Sequence, residues 1–300
     1  MNIETIKTFQ TLKTPFYYYD TTLLQATLQA ASQAANEHGF NLHYAIKANA
    51  NPQAVASGFP SEQIVYAGVG KSDEEIRLAL EKEIFCFNCE SLPEIEVINI
   101  LAGEMGKKAS VALRVNPNVD AHTHHYITTG IEENKFGFYL YDLDHAITAC
   151  REMEHIKLIG LHFHIGSQIT DLTVFRGLCL RVNEIQSRLK EQGIILPHVN
   201  FGGGLGINYD CPTCGLIPDF ASYFQIFADF FEAQPGQQLH FELGRSLVGQ
   251  CGSLISRVLY VKEGKHKKFV ILDAGMNDLL RPALYQAFHR IENLTSVGEH

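Results

Sequence analysis

Short apolar runs alternate with amphipathic stretches of helical period along nearly the whole of this 300-residue chain. That is the pattern of a parallel sheet whose strands are joined by helical crossovers. Seven strands are expected, at 41–48, 64–68, 84–88, 111–116, 158–165, 198–201 and 239–243. The helices between them carry start signals. Ser72 with Glu75 and Ser91 with Glu94 have capping-box spacing, and Asp171 and Asp219 stand where two longer helices begin. The first of these should run to Gly193 and the second should bury Phe220, Tyr223, Phe224 and Phe227. A closed barrel of alternating strands and helices needs eight strands, so one strand is either hidden or absent. In such a barrel the active site is built at the C-terminal ends of the strands, and this chain places its polar residues there.

A composition of 46% hydrophobic and 19% charged residues suits a large core, and a disordered chain is not expected. The net charge of −9 argues against nucleic acid and favours a small-molecule ligand. The start, MNIETIKTFQ, lacks the basic and apolar segments of an export signal, and no run approaches the roughly 18 apolar residues of a membrane span, so a cytoplasmic protein with no membrane partner is expected. Seven cysteines, an odd number, do not form a secreted disulfide framework. Two C-x-x-C pairs stand out. Cys86 and Cys89 lie on an expected strand, where residues three apart point to opposite faces, which spoils chelation. Cys211-Pro212-Thr213-Cys214 lies in an expected loop and is the better metal or redox candidate.

Chemistry concentrates at five places. YAIKANANP, Tyr44 to Pro52, puts Lys47 at the end of an apolar run closed by an Asn/Pro turn. A lysine kept partly neutral by desolvation can attack an aldehyde and hold it as a Schiff base, although an ion-paired or snorkelling lysine is the plainer reading. LIGLHFHIGSQ sets His162 and His164 on one side of a strand, followed by Gly166 and Ser167. VNFGGGLGI offers Gly202, Gly203, Gly204 and Gly206, whose backbone N–H groups could close on a phosphate or serve only a tight turn. Glu242 and Arg245 end the last strand, as a proton-holding carboxylate and an anion-gripping guanidinium or as a simple ion pair. Beyond them, Asp273, Asn277, Asp278, Arg281 and Tyr285 crowd an otherwise apolar segment.

In this order and spacing, YAIKANANP, HFHIGSQ, FGGGLGI, ELGR and DAGMNDLLRPALY resemble the diaminopimelate decarboxylases, pyridoxal-phosphate enzymes with a (β/α)8 TIM-type barrel of the alanine racemase-like kind and a second, β domain. The resemblance covers nearly the whole chain, and DAGMNDLLRPALY is its most specific part, because decarboxylases of ornithine or arginine differ there. It implies that Lys47 carries pyridoxal 5'-phosphate as a Schiff base, that His164 stacks on the ring, and that Ser167, Gly203, Gly204 and Gly244 bind the phosphate. Glu242 would keep the pyridine nitrogen protonated, so that the ring accepts electrons as carbon dioxide leaves. Arg245, Arg281 and Tyr285 would hold the amino-acid substrate. The reaction so implied removes the carboxylate on the D-configured carbon of meso-diaminopimelate and yields L-lysine, in a homodimer. The barrel would occupy residues 20–265, with 1–19 and 266–300 as remnants of the β domain.

The chain departs from the family in three respects. ELGR stands where EPGR is usual, a change that leaves the roles of Glu242 and Arg245 intact. The family continues past residue 300 through a C-terminal β domain with a Cys-Glu-Ser segment, so a truncated chain is expected, with its own turnover open. Between Asn51 and Ile64 the family carries a further strand and helix, and NPQAVASGFPSEQ reads as a splice across them, which would account for seven strands. Competing readings are a decarboxylase of another basic amino acid, an inactive carrier of the cofactor, and a metal-dependent barrel hydrolase using His162, His164, Lys47 and Asp273. His122, His124 and His125 are expected to be solvated loop histidines.

Overall fold

The computed structural model describes residues 3–44, 60–119, 136–212 and 214–295. The first part of the chain forms α1 (Ile3–Phe9), β1 (Phe16–Tyr19), α2 (Thr21–Glu37), β2 (Asn41–Tyr44), β3 (Val65–Tyr66), α3 (Asp73–Glu81) and β4 (Cys86–Cys89). There follow α4 (Leu92–Glu104), β5 (Ala109–Arg114), α5 (Leu143–Glu152), β6 (Ile156–His162), α6 (Thr173–Glu191), β7 (His198–Asn200), α7 (Phe220–Phe230) and β8 (Gln238–Leu243). The last elements are α8 (Arg245–Val248), β9 (Gly252–Ile255), β10 (Val258–Glu263), β11 (Lys268–Leu272) and α9 (Arg281–Tyr285). They fall into two compact units, the larger comprising Gln29–Gly206 with Asp219–Ser246.

In the larger unit all seven expected strands are present, within two residues of their expected starts, in one parallel sheet of order β2-β8-β7-β6-β5-β4-β3. Two hydrogen bonds show how far it curls. His43 of β2 bonds through Nδ1 to the Gln63 carbonyl, two residues before β3, at 2.8 Å, although β2 and β3 are opposite edges of the order. Asn88 of β4 reaches Glu242 of β8 at 2.6 Å across three intervening strands. In a flat sheet those strands would lie about 19 Å apart. The sheet is therefore a nearly closed TIM-type barrel with helices outside. Lys47, the continuation of the first expected strand and most of the NPQAVASGFPSEQ segment fall at 45–59, outside the described residues.

Strands covered on both faces read as continuous apolar runs, and β4 and β8 are buried along nearly their full length. The apolar stripe of α7 packs Phe227 and Phe224 on Phe241 at ring distances of 4.7 and 5.0 Å, with Tyr223 and Phe201 completing the cluster. Each such side chain contributes about 1.5–3 kcal/mol of transfer energy. The Ser72–Glu75 capping box forms, with Ser72 N–H donating to Glu75 at 2.9 Å, and Asp219 caps α7 by accepting Ser222 N–H at 3.0 Å. Two expectations need correction. Ser91 starts α4 without a side-chain cap, and the Glu94 carboxylate, in place of the reciprocal bond to Ser91, accepts the Glu90 N–H at 2.6 Å and pairs with the Lys71 ammonium. Asp171 sits one residue too early to be the cap of α6; it accepts Thr173 N–H at 2.9 Å, and the helix stops at Glu191, two residues before Gly193.

A layer of three imidazoles lies among β2, β7 and β8, with Phe85 stacked on His43 and His240. The Gln63 carbonyl can only accept, so His43 Nδ1 carries its proton and His43 Nε2 accepts from His240 Nδ1 at 2.9 Å. His240 Nε2 in turn accepts from His198 Nδ1 at 3.0 Å. Every tautomer in the row is fixed by the one before it. Burial, and then the neighbouring His43 and His198, push His240 down to about 3.

The smaller unit comprises Met1–Leu28, Ile207–Pro218 and Leu247–His300. Within it β1 pairs antiparallel with β9, and β10 with β11. The second pair leaves Tyr260, Val261, Phe269 and Val270 exposed. Asp273 accepts Arg257 N–H at 2.8 Å and the Thr14 hydroxyl at 2.5 Å. No described helix is long and apolar enough to cross a membrane.

The imidazole layer generates a pH prediction. The folded pKa of His240 is depressed, so the unfolded chain takes up a proton below about pH 6.5 that the folded chain refuses until about pH 3. Stability is complete above that window and falls within it by up to about 1.4 kcal/mol per pH unit. Urea midpoints measured between about pH 7.5 and about pH 5 should drop, and drop less steeply in His240→Phe. Equal slopes in the two proteins would contradict this assignment.

Candidate active site

The polar centre of the barrel is a carboxylate near the end of its last strand. Glu242 of β8 is 7% exposed. Its Oε1 accepts the Asn88 amide at 2.6 Å and the Asn200 amide at 2.7 Å, and stands 3.3 Å from His162 Nε2. These partners come from β4, β7 and β6. Two other carboxylates, which follow β4 in the chain, are neutralised differently: Glu90 pairs with Arg114 at 2.7 Å and Glu94 with Lys71, all four being buried or largely so. Among the described residues, no lysine or arginine forms an ion pair with Glu242. The alternative of a Glu242–Arg245 surface pair is thus overturned, since the carboxylate points among strand ends and is held there by amides.

The glycine-rich turn after β7 is shaped by the same carboxylate's backbone. Asn200, while donating to Glu242, also accepts the Gly202 N–H at 2.8 Å, and Gly202 O accepts the Glu242 N–H at 2.6 Å. A Cβ on Gly203 would lie 2.2 Å from the Glu242 carbonyl oxygen, so no side chain fits. Gly204 has φ +121°, a region that L side chains rarely adopt. Gly203 N–H donates to His164 Nδ1 at 3.3 Å, which leaves the proton of a neutral His164 on Nε2. His164 lies two residues beyond the end of β6.

Arg245 opens α8 directly after Gly244, and its Nε donates to the Ser167 hydroxyl at 3.3 Å. This bond ties the loop after β6 to the end of β8, and an Ile169–Leu205 bridge joins the same loop to the glycine turn. Next along the chain, the Ser246 hydroxyl is buried with no hydrogen-bond partner among the described residues. Of the residues expected from sequence, His164, Ser167, Gly203, Gly204, Glu242, Gly244 and Arg245 are gathered at the C-terminal ends of β6, β7 and β8. Arg281 and Tyr285 belong to the smaller unit, where the Arg281 guanidinium lies 5.5 Å from the Tyr285 ring centre and 5.3 Å from that of Tyr209. Lys47, His122, His124 and His125 lie outside the described residues.

The metal reading gains nothing from the geometry. His162 Nε2 faces Glu242, His164 Nδ1 takes the Gly203 N–H, and the Asp273 carboxylate is occupied by Arg257 and Thr14. Among the described residues, no three His, Cys, Asp or Glu side chains are placed to hold a metal ion. Sequence reasoning overlooked Asn88 and Asn200. Each is an amide in the last two positions of its strand, a placement that no motif marks.

Comparison with known proteins bears on the same residues. The pyridoxal binding domain of the pyridoxal-dependent decarboxylases matches residues 33–249. A diaminopimelate decarboxylase of Bacteroides thetaiotaomicron is 55% identical over 314 residues, covering 97% of this chain and 81% of the relative. The chain belongs to the diaminopimelate decarboxylase family. Another member, from Neisseria meningitidis serogroup A, is 40% identical over 93% of this chain and 73% of its own length. The crystal structure of diaminopimelate decarboxylase from Helicobacter pylori complexed with L-lysine superposes with a TM-score of 0.87 at 35% identity, over 96% of this chain and 77% of that one. The Bacteroides alignment, at 314 residues, is longer than the 300-residue chain, so the relative has residues inside the aligned region with no counterpart here.

Pyridoxal phosphate, the group this family uses, fits the donor set: a buried carboxylate with no lysine or arginine partner among the described residues for a ring N–H, the His164 imidazole, and a hydroxyl, a guanidinium and a glycine turn for an anion. The architecture is testable without any ligand. Asn88→Ala or Asn200→Ala withdraws a donor from a buried charge and should cost about 1–3 kcal/mol in urea unfolding. Gly203→Ala should cost about 3 kcal/mol or prevent folding. Losses below about 0.5 kcal/mol for all three would contradict the close packing described.

Proposed function

We propose that this chain binds pyridoxal 5'-phosphate and removes the carboxylate from the D-configured carbon of meso-diaminopimelate, giving L-lysine and carbon dioxide. The observation that carries the reading is Glu242, a buried carboxylate with amide donors and no lysine or arginine partner among the described residues. When bound, the cofactor supplies a protonated ring that takes up the electron pair released as carbon dioxide departs. Glu242 holds that proton at the pyridine nitrogen, and the Asn88 and Asn200 amides keep the carboxylate aimed. His164, its ring oriented by the Gly203 N–H, lies against the cofactor face. Ser167, Gly203, Gly204 and Gly244 surround the phosphate. Lys47 is the amine that holds the cofactor's aldehyde.

Arg245, Arg281 and Tyr285 bind the substrate, whose carboxylates match the fork of a guanidinium. The reading includes a barrel domain over 20–265, with 1–19 and 266–300 belonging to the β domain, and a cytoplasmic homodimer. It is supported by family membership and by the net charge of −9, which suits a small amino acid better than nucleic acid.

Pyridoxal phosphate added to the purified chain should produce visible absorbance that Lys47→Ala does not show. Carbon dioxide should be released from meso-diaminopimelate and not from ornithine or arginine. Glu242→Gln should retain the cofactor and lower kcat by about 10²–10³-fold. Release from ornithine alone, or a Glu242→Gln enzyme as fast as the parent, would overturn the reading.

A further inference from the structure

The cysteines divide sharply by environment. Cys86, Cys89, Cys150, Cys179 and Cys251 are free and buried, and burial pushes each thiol up, to about 11 for Cys150 and about 12 for Cys179. Such thiols are poor nucleophiles. Cys211 and Cys214 are bonded to each other, with Cα atoms 5.2 Å apart, and Cys214 is exposed. Cys214 N–H donates to Cys211 O at 2.9 Å, so the bond closes a single tight turn. A disulfide across so short a loop gains little from restricting the unfolded chain, and exposed disulfides are the labile ones.

The turn is tied to a residue that matters. Asn208 Oδ1 accepts the N–H of Asp210 at 3.0 Å and of Cys211 at 2.9 Å, which fixes the backbone on both sides of Tyr209 to the first cysteine. The Tyr209 ring packs edge-on to His289 at 4.9 Å and lies 5.3 Å from the Arg281 guanidinium. Arg281 also lies over Tyr285 at 5.5 Å. On the far side of the turn, Gln250 donates to Gly215 O at 3.2 Å. Tyr209 is thus one of two aromatic walls that set Arg281, and its backbone is anchored at the disulfide.

We infer that Cys211 and Cys214 form a reversible dithiol–disulfide pair whose state sets the grip of Tyr209 on Arg281, and through it the affinity for the amino-acid ligand. The inference rests on the reading of Arg281 as a substrate-binding group. The exchange partner is a thiol–disulfide compound. In oxidation one cysteine thiolate attacks the incoming disulfide, expels one thiol, and the second cysteine resolves the mixed disulfide by expelling the other. Two electrons and two protons pass from the cysteines to the two departing thiols. Reduction is the reverse.

The test uses the full chain loaded with pyridoxal phosphate and equilibrated with mixtures of oxidised and reduced dithiothreitol. Alkylation followed by mass analysis of the peptide containing 211 and 214 should show two added groups under reduction and none under oxidation. Calorimetric titration with L-lysine should give a Kd about threefold weaker in the reduced protein, the loss expected for one loosened cation–π contact. Cys214→Ser, with Cys211→Ser as its duplicate, should show the weaker Kd at every setting. A pair that never exchanges, or equal Kd values in both states while Arg281→Ala still weakens binding, would overturn the switch alone. If Arg281→Ala binds L-lysine as the parent does, the substrate reading falls and the switch with it.

Discussion

One carboxylate oxygen organises the polar end of this barrel. Glu242 Oε1 receives amide donors from β4 and β7 and stands 3.3 Å from His162 Nε2 of β6, while its own strand, β8, supplies the backbone against which the glycine turn packs. A buried anion is costly unless its lone pairs are filled, and here the filling groups come from strands that a flat sheet would hold far apart. Curvature of the sheet and solvation of the charge are therefore the same requirement. Asn200 shows the economy of the arrangement: its amide nitrogen serves Glu242 and its amide oxygen serves Gly202, so strand end, turn and carboxylate share one side chain.

The neighbouring charges obey the same electrostatics with a different outcome. Arg114 and Lys71 neutralise Glu90 and Glu94, and Lys71 also donates to the carbonyls of Gly68 and Asn88 at 2.7 and 2.9 Å. Lys71 thereby fixes the backbone of the residue whose amide holds Glu242. Cations pair with Glu90 and Glu94, whereas Glu242 is held by neutral amides, and that contrast separates scaffold from site. The imidazole layer brings the two edges of the sheet together through the bond from His43 to the Gln63 carbonyl, two residues before β3.

Much of the architecture was legible in the chain because periodicity reports burial directly. Every expected strand of the barrel exists, and the apolar stripe from Phe220 to Phe227 faces the core. Local caps were legible in part: Ser72–Glu75 formed, whereas Glu94 pairs with Lys71, a partner 23 residues earlier that no local rule reveals. Glu242, Arg245, His164 and the glycines were visible as polar or small residues at strand ends. The donors Asn88 and Asn200 were not, because an amide carries no motif and its purpose appears only when β4 and β7 stand beside β8. The cause of Gly203 was open to a turn or to a phosphate, and the contact with the Glu242 carbonyl adds a packing requirement that holds in either case.

The claim that Glu242 exists to keep a proton on the cofactor ring is tested most directly by the nitrogen-15 chemical shift of pyridoxal phosphate labelled at the ring nitrogen and bound to the parent and to Glu242→Gln. A protonated nitrogen in the parent and an unprotonated one in the variant is the result this account predicts. The same shift in both proteins would contradict it.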